Sequence, residues 1–280
     1  MNQVEHKQHE GMKRGVYLIP SLFTTANLFC GFFSIIKAMS GEFALAAWII
    51  ILAGVFDFLD GRVARFARAE SNFGVEYDSL VDFASFGLAP AFLVYSWTLH
   101  DLGKFGWIAA FVYFACGALR LARFNVQHET IEKRYFEGLP IPSAAGFLCT
   151  YVIFYHNFSF FPPQFGSIFV GVMCIVLAFL MVSNIRYRSM KVNRVKSRRP
   201  FVIFIFILLS LFIIGTNPEI ALFAMNVIYI SSGIIEEIIT RHQSKRFLAK
   251  VKQKNAERKA RKSSAGSSNQ PDDKIDNPLQ

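Results

Sequence analysis

Apolar runs such as "FALAAWIIILAGVF" and "FGSIFVGVMCIVLAFLMVS" restrict what this chain can fold into. A helix lying half in water needs polar residues every second or third place along one face, and these runs offer none. With their flanks they approach the ~20 residues that carry a helix across a bilayer, where every backbone N–H and C=O must be bonded within the protein. The chain is 53% hydrophobic and its apolar residues come in blocks. That arrangement predicts an all-α integral membrane protein instead of one large soluble domain.

Block by block, the sequence predicts about eight transmembrane helices: residues 17–39, 42–66, 73–97, 104–125, 139–155, 163–185, 200–214 and 218–240. Pro20, Pro163, Pro200 and Pro218 fall near helix starts, where a missing N–H is tolerated. The seventh run is short enough to be a tilted or partial span. A polar start, "MNQVEHKQHEGMKRG", leads into the first run without a small-residue cleavage site, which reads as a retained helix and a cytoplasmic N-terminus. With that start and alternating connections, 28 of the 30 Lys and Arg fall on the inner side, leaving Lys37 and Lys104 outside. Such a bias fits the positive-inside rule for an even number of spans in a cytoplasmic membrane. The net charge of +10 is thus mainly a topology signal, and no nucleic-acid partner is expected from basic residues spread over loops. The tail from Arg241 is basic and suited equally to solvent or to anionic membrane lipid, while its last part, "AGSSNQPDDKIDNPLQ", has the composition of a disordered segment. Cys30, Cys116, Cys149 and Cys174 lack metal-ligand spacing and read as packing residues. His128, His156 and His242 form no ligand cluster, and the many phenylalanines read as lipid-facing bulk.

Against this background, four aspartates stand out in the second and third helices. Asp57, Asp60, Gly61, Ala64, Arg65 and Arg68 recur at helical spacing and make one polar seam; Gly74, Asp78, Asp82 and Ser85 make another. The short connection "RAESN" makes the two helices antiparallel neighbours, so the seams can face each other near the inner surface. Four carboxylates converging in low dielectric need a positive compensator, and a hard divalent cation bound through oxygen is the natural one. Two other readings stay open at this point. Arg62, Arg65 and Arg68 can pair with the acids and serve packing alone, or the acids can mark a membrane cation transport path. No ladder of acids continues toward the outer face, which weighs against the path.

The run "DFLDGRVARFARAESNFGVEYDSLVD" fits D-x2-D-G-x2-A-R-x8-G-x3-D-x3-D at every fixed position: Asp57, Asp60, Gly61, Ala64, Arg65, Gly74, Asp78 and Asp82. It resembles the signature of the CDP-alcohol phosphotransferases, membrane enzymes that move a phosphatidyl or related group from a CDP-linked donor to an alcohol and release CMP. The resemblance implies a six-helix core with two further C-terminal helices. It implies two divalent ions, Mg2+ or Mn2+, held by Asp57, Asp60, Asp78 and Asp82, with Asp82 also suited to act as base. On the donor side it implies contacts to CDP-diacylglycerol from Asp60, Gly61, Ala64, Arg65 and Gly74. It further implies a homodimer. The resulting division is a cytoplasmic segment 1–16, a catalytic membrane core 17–185, a basic loop with two helices 186–240, and a basic tail 241–280.

Four more stretches, "IPSLFTTANLFCGFFSI", "EYDSLVDFASFGLAPAFLVY", "CGALRLARFNV" and "FEGLPIPSAAG", resemble one branch of that family, the membrane-embedded phosphatidylserine synthases of bacteria, archaea and yeasts. Relatives often carry Asn where this chain has Ser21. The branch implies L-serine as acceptor, with phosphatidylglycerophosphate and phosphatidylinositol-phosphate synthases as alternatives within the family. Serine brings a carboxylate that a guanidinium can hold through two bonds. Arg120 and Arg123, one turn apart on the fourth helix, suit that task or a snorkelling role at the interface. The resemblance carries serine binding to Arg123 and Phe124, with Arg120 beside them. In the first helix, Thr24, Thr25 and Asn27 suit either the nucleotide or helix packing, and Asn27 is retained as a donor-binding candidate.

Overall fold

The computed structural model describes residues 2–67, 72–128, 136–158, 163–183, 185–187, 215–235 and 237. Its helices are α1 (Asn2–Met39), α2 (Phe43–Ala67), α3 (Asn72–Asp82), α4 (Ala89–Trp97), α5 (Lys104–His128), α6 (Ile141–Asn157) and α7 (Pro163–Val182). An eighth, α8 (Pro218–Ile235), follows. The all-α membrane architecture read from the sequence is present: α1, α2, the α3–α4 rod, α5 and α8 each hold a stretch long and apolar enough to cross a bilayer, and α7 contains the shorter apolar stretch Gly166–Val182. Helix α1 starts at Asn2, well before the expected residue 17, and the expected span 200–214 lies outside the described residues. Compact packing divides the chain into Met1–Gly233 and Ile234–Gln280, and in the second unit only 234, 235 and 237 are described.

Small residues set the packing of the first hairpin. Cys30, Ser34 and Ala38 form a buried row on α1, and Ala46, Ala47, Ile50 and Ala53 are buried on α2. Without a strong hydrophobic drive between helices in lipid, such rows let backbones approach and gain dispersion contact. The turn between them bends at Gly41, whose φ of 79° is left-handed. Lys37 Nζ donates to Glu42 Oε1 at 2.8 Å across the turn. Bulky apolar side chains lie on the outer face instead: Phe66 is 95% exposed and Phe179 is 68% exposed, as lipid-facing residues should be.

The third span departs from a simple helix. Residues Phe83–Leu88 form a π-helical turn between α3 and α4, with the Ala89 N–H donating to the Ala84 carbonyl. Pro90 is the physical cause. It has no N–H for the Phe86 carbonyl four residues back, and its ring crowds that turn. The buried Tyr113 hydroxyl of α5 takes the released carbonyl, donating to Phe86 O at 3.0 Å. Close approach fixes the turn on both sides. A Cβ at Gly31 would come within 2.9 Å of Ser85 Cα, and one at Gly117 would lie 3.9 Å from Gly87 Cα.

A second unforeseen element joins the ends of α5–α6 and α7. Strand β1 (Phe136–Glu137) pairs antiparallel with β2 (Arg186–Tyr187), too short for any periodic pattern to announce. Gly138 then turns with φ of 85°, and a side chain there would collide with the Met181 carbonyl. The N–H groups of Gly138 and Leu139 donate to Ile185 O at 2.8 Å and Leu180 O at 3.0 Å. This is why "EGLP" enters α6 pressed against the end of α7.

Candidate active site

Each signature aspartate sits on a helix wall that sequence spacing alone dictates. Asp57 and Asp60 are one turn apart on α2, as are Asp78 and Asp82 on α3. Asp57, Asp60 and Asp78 each direct a carboxylate oxygen into one group, all within 4.8 Å of one another. Asp82 joins through a hydrogen-bonding contact with Asp57, and Thr24 of α1 hydrogen-bonds Asp60. Asp60 is only 5% exposed. Asp60 Oδ2, Asp78 Oδ1 and Asp82 Oδ1 are buried and accept no hydrogen bond.

Among the described residues, the arginines of α2 do not pair with the group. Arg62 lies over the Phe58 ring, 4.3 Å from its centroid, and Arg65 Nε donates to its own helix at Gly61 O, 2.6 Å away. Arg68 lies outside the described residues. Among the described residues the two ion pairs, Lys37–Glu42 and His100–Asp101, are at the opposite helix ends from the acids. Among the described residues, Arg62 and Arg65 therefore do not make the contacts with the aspartates that the packing-only reading needs. Buried carboxylate oxygens without donors, gathered from two helices, are the oxygen-rich donor set that a hard divalent cation takes, so the residues present fit such an ion.

Around this cluster the residues expected to meet the donor are partly assembled. A Cβ at Gly61 would meet only Arg65 Nη2, at 4.0 Å, so the α2 surface beside Asp60 stays open for close approach. Gly74 lies one turn before Asp78 on α3, and Ala64 lies one turn beyond Asp60 on α2, its side chain outside the described residues. Asn27 is fully buried one turn after Thr24, and both polar atoms of its amide lack hydrogen-bond partners. Thr25 is a packing group: its hydroxyl bonds Ser21 O at 2.7 Å and meets Tyr77 Oη at 3.1 Å.

The structure separates the two arginines of α5 that were expected to meet the acceptor. Arg120 interacts electrostatically with Asp82 and with Tyr229 of α8, and its Nε is buried without a partner. Arg123 Nη1 donates to Val182 O at 3.2 Å, the last residue of α7, and so caps that helix end. Phe124 is half-buried on the same turn, and Asn125 next to it accepts from Ser79 Oγ at 3.2 Å, tying α5 to α3. Tyr229, in electrostatic range of Arg120, was not foreseen from the sequence. Tyr229 hydrogen-bonds Ser143 of α6, and a single tyrosine in an apolar run gives no signal without its neighbours.

Residues 17–182 match the CDP-alcohol phosphatidyltransferase family. A CDP-diacylglycerol–serine O-phosphatidyltransferase of Helicobacter pylori is 36% identical over 223 residues, covering 80% of this chain and 92% of that protein. Proteins of the same name from Methanocaldococcus jannaschii and Bacillus subtilis are each 34% identical, over 80% and 62% of this chain and 96% and 91% of their own lengths. The matched segment carries all four clustered aspartates. By this match, and by a part-buried acid cluster at the signature spacing, the chain belongs to the CDP-alcohol phosphatidyltransferase family.

Proposed function

We propose that this protein transfers the phosphatidyl group of CDP-diacylglycerol to the hydroxyl of L-serine and releases CMP. The observation that carries the reading is the part-buried group of Asp57, Asp60, Asp78 and Asp82, with its unpartnered oxygens and the Arg120 guanidinium near Asp82. The names of the relatives, similar over most of the chain, support serine as the acceptor.

In this reading the four aspartates hold two divalent ions, Mg2+ or Mn2+. Such ions, when bound, would neutralise the pyrophosphate and the charge developing on departing CMP. Arg65 serves as a phosphate contact, and its present bond to Gly61 O is an internal one that a stronger anionic partner can replace. Gly61, Ala64 and Gly74 leave room for the nucleotide, and the Asn27 amide supplies donor and acceptor atoms to it. In the transfer, the serine hydroxyl oxygen bonds to the phosphorus that carries diacylglycerol, and the bond from that phosphorus to the CMP oxygen breaks. CMP leaves with the electron pair, and Asp82 takes the hydroxyl proton. Arg120 and Arg123 hold the serine carboxylate beside Phe124, which fixes the hydroxyl near the donor. The same reading has the site at the cytoplasmic face of the inner membrane, in line with the distribution of basic residues, and the protein as a homodimer.

Parallel assays of membranes containing the protein, given CDP-diacylglycerol with labelled serine, glycerol 3-phosphate or inositol phosphate, test the acceptor. Phosphatidylserine is expected. Product from glycerol 3-phosphate or inositol phosphate alone would reassign the acceptor within the family.

A further inference from the structure

We infer that Tyr229 of α8 is a positioning residue for acceptor selection, holding Arg120 for the carboxylate of an amino-acid alcohol. This rests on the serine-transfer reading above and names a part of that site beyond the family-matched segment 17–182. Helix α8 runs antiparallel to α6. Tyr229 hydrogen-bonds Ser143, Asn226 sits opposite Gly146, and Phe223 packs on Phe147 and Phe154 with ring centroids 5.6 and 5.1 Å apart. The Gly146 contact is close, since a Cβ there would lie 3.2 Å from Asn226 Oδ1, so the two helices are held in one register. That register sets Tyr229 within electrostatic range of Arg120, whose guanidinium also interacts with Asp82 while its buried Nε has no partner.

A guanidinium placed this way offers donors to an anion beside the reacting centre. Of the alcohols that phosphatidyl transfer can use, one bearing a carboxylate next to its hydroxyl matches that offer through paired N–H bonds. Ser143 fixes Tyr229, Tyr229 orients Arg120, and the acceptor gains a prepared contact instead of a mobile side chain.

The test uses the full-length protein in detergent with CDP-diacylglycerol and either L-serine or L-serinamide, which lacks the carboxylate charge. Tyr229→Phe is expected to raise the serine KM about three- to tenfold, with kcat within about twofold, as for a lost hydrogen bond expressed in binding. The preference for serine over serinamide should fall by a similar factor, and the KM for CDP-diacylglycerol should not move. Ser143→Ala should shift both quantities in the same direction by less. Met225→Leu, at an exposed position of the same helix, should leave serine KM and preference unchanged. Unaltered serine KM and preference in Tyr229→Phe, or an equal change in Met225→Leu, would overturn the inference while the wild type still makes phosphatidylserine. Absence of serine transfer by the wild type would overturn the underlying reading as well.

Discussion

Replacing Arg120 with Ala removes the guanidinium that interacts with Asp82 and leaves the acid cluster itself in place. Because Arg120 Nε is already buried without a partner, the desolvation of that group has been met during folding, and a bound carboxylate gains most of the contact. A charge-assisted hydrogen bond contributes about 1.5 to 3 kcal/mol. At about 1.4 kcal/mol per decade, Arg120→Ala should raise the serine KM roughly ten- to a hundredfold. The KM for CDP-diacylglycerol should stay within about twofold, since in the proposed reading the aspartates and Arg65 hold the donor. Arg120→Lys should recover part of the loss, because an ammonium keeps the charge without the planar fork. Arg123→Ala should act more weakly, about three- to tenfold on serine KM, because one of its N–H groups is already committed to Val182 O. Steady-state kinetics with serine varied at saturating donor measure all three variants. A serine KM within twofold of wild type for Arg120→Ala would refute the assignment of the acceptor carboxylate to this end of α5.

Asn27→Leu should raise the KM for CDP-diacylglycerol while holding or increasing the Tm of the ligand-free protein, because it removes a buried amide with no partners; an unchanged donor KM would return Asn27 to packing. Tyr113→Phe should lower the Tm, with a loss of about 1 to 3 kcal/mol for leaving the Phe86 carbonyl unbonded inside the membrane, and an unchanged Tm would mean that the π turn needs no such partner. Thiols introduced at Gly41 and Asp101 should label from outside intact cells and one at Lys133 should not; labelling at Lys133 would reverse the placement of the site at the cytoplasmic face.

The acid cluster was legible because carboxylates have no reason to occur in an apolar helix, and Asp57, Asp60, Asp78 and Asp82 repeat at one-turn spacing on adjoining helices. Helix positions were legible for the same reason, through the length of the apolar runs. What the sequence concealed depends on rotation and depth. Pro90 marked a disturbance, but the π turn it produces also needs Tyr113 from another helix to take the Phe86 carbonyl. The two-residue ladder of Phe136–Glu137 with Arg186–Tyr187 is below any periodic signal. Arg120 and Arg123 are equivalent by spacing. Only the placement of α7 and α8 distinguishes them, giving one arginine the Val182 carbonyl and the other the company of Asp82 and Tyr229.

The central claim, that the aspartates of α2 and α3 form a divalent-cation site, is tested most directly by titrating Mn2+ into purified, chelator-treated protein and following bound metal by electron paramagnetic resonance. Saturable binding is predicted for the wild type, with strong weakening in Asp57→Asn and Asp78→Asn variants that retain the wild-type elution volume in detergent. Mn2+ binding of equal affinity and stoichiometry in wild type and both variants would contradict it.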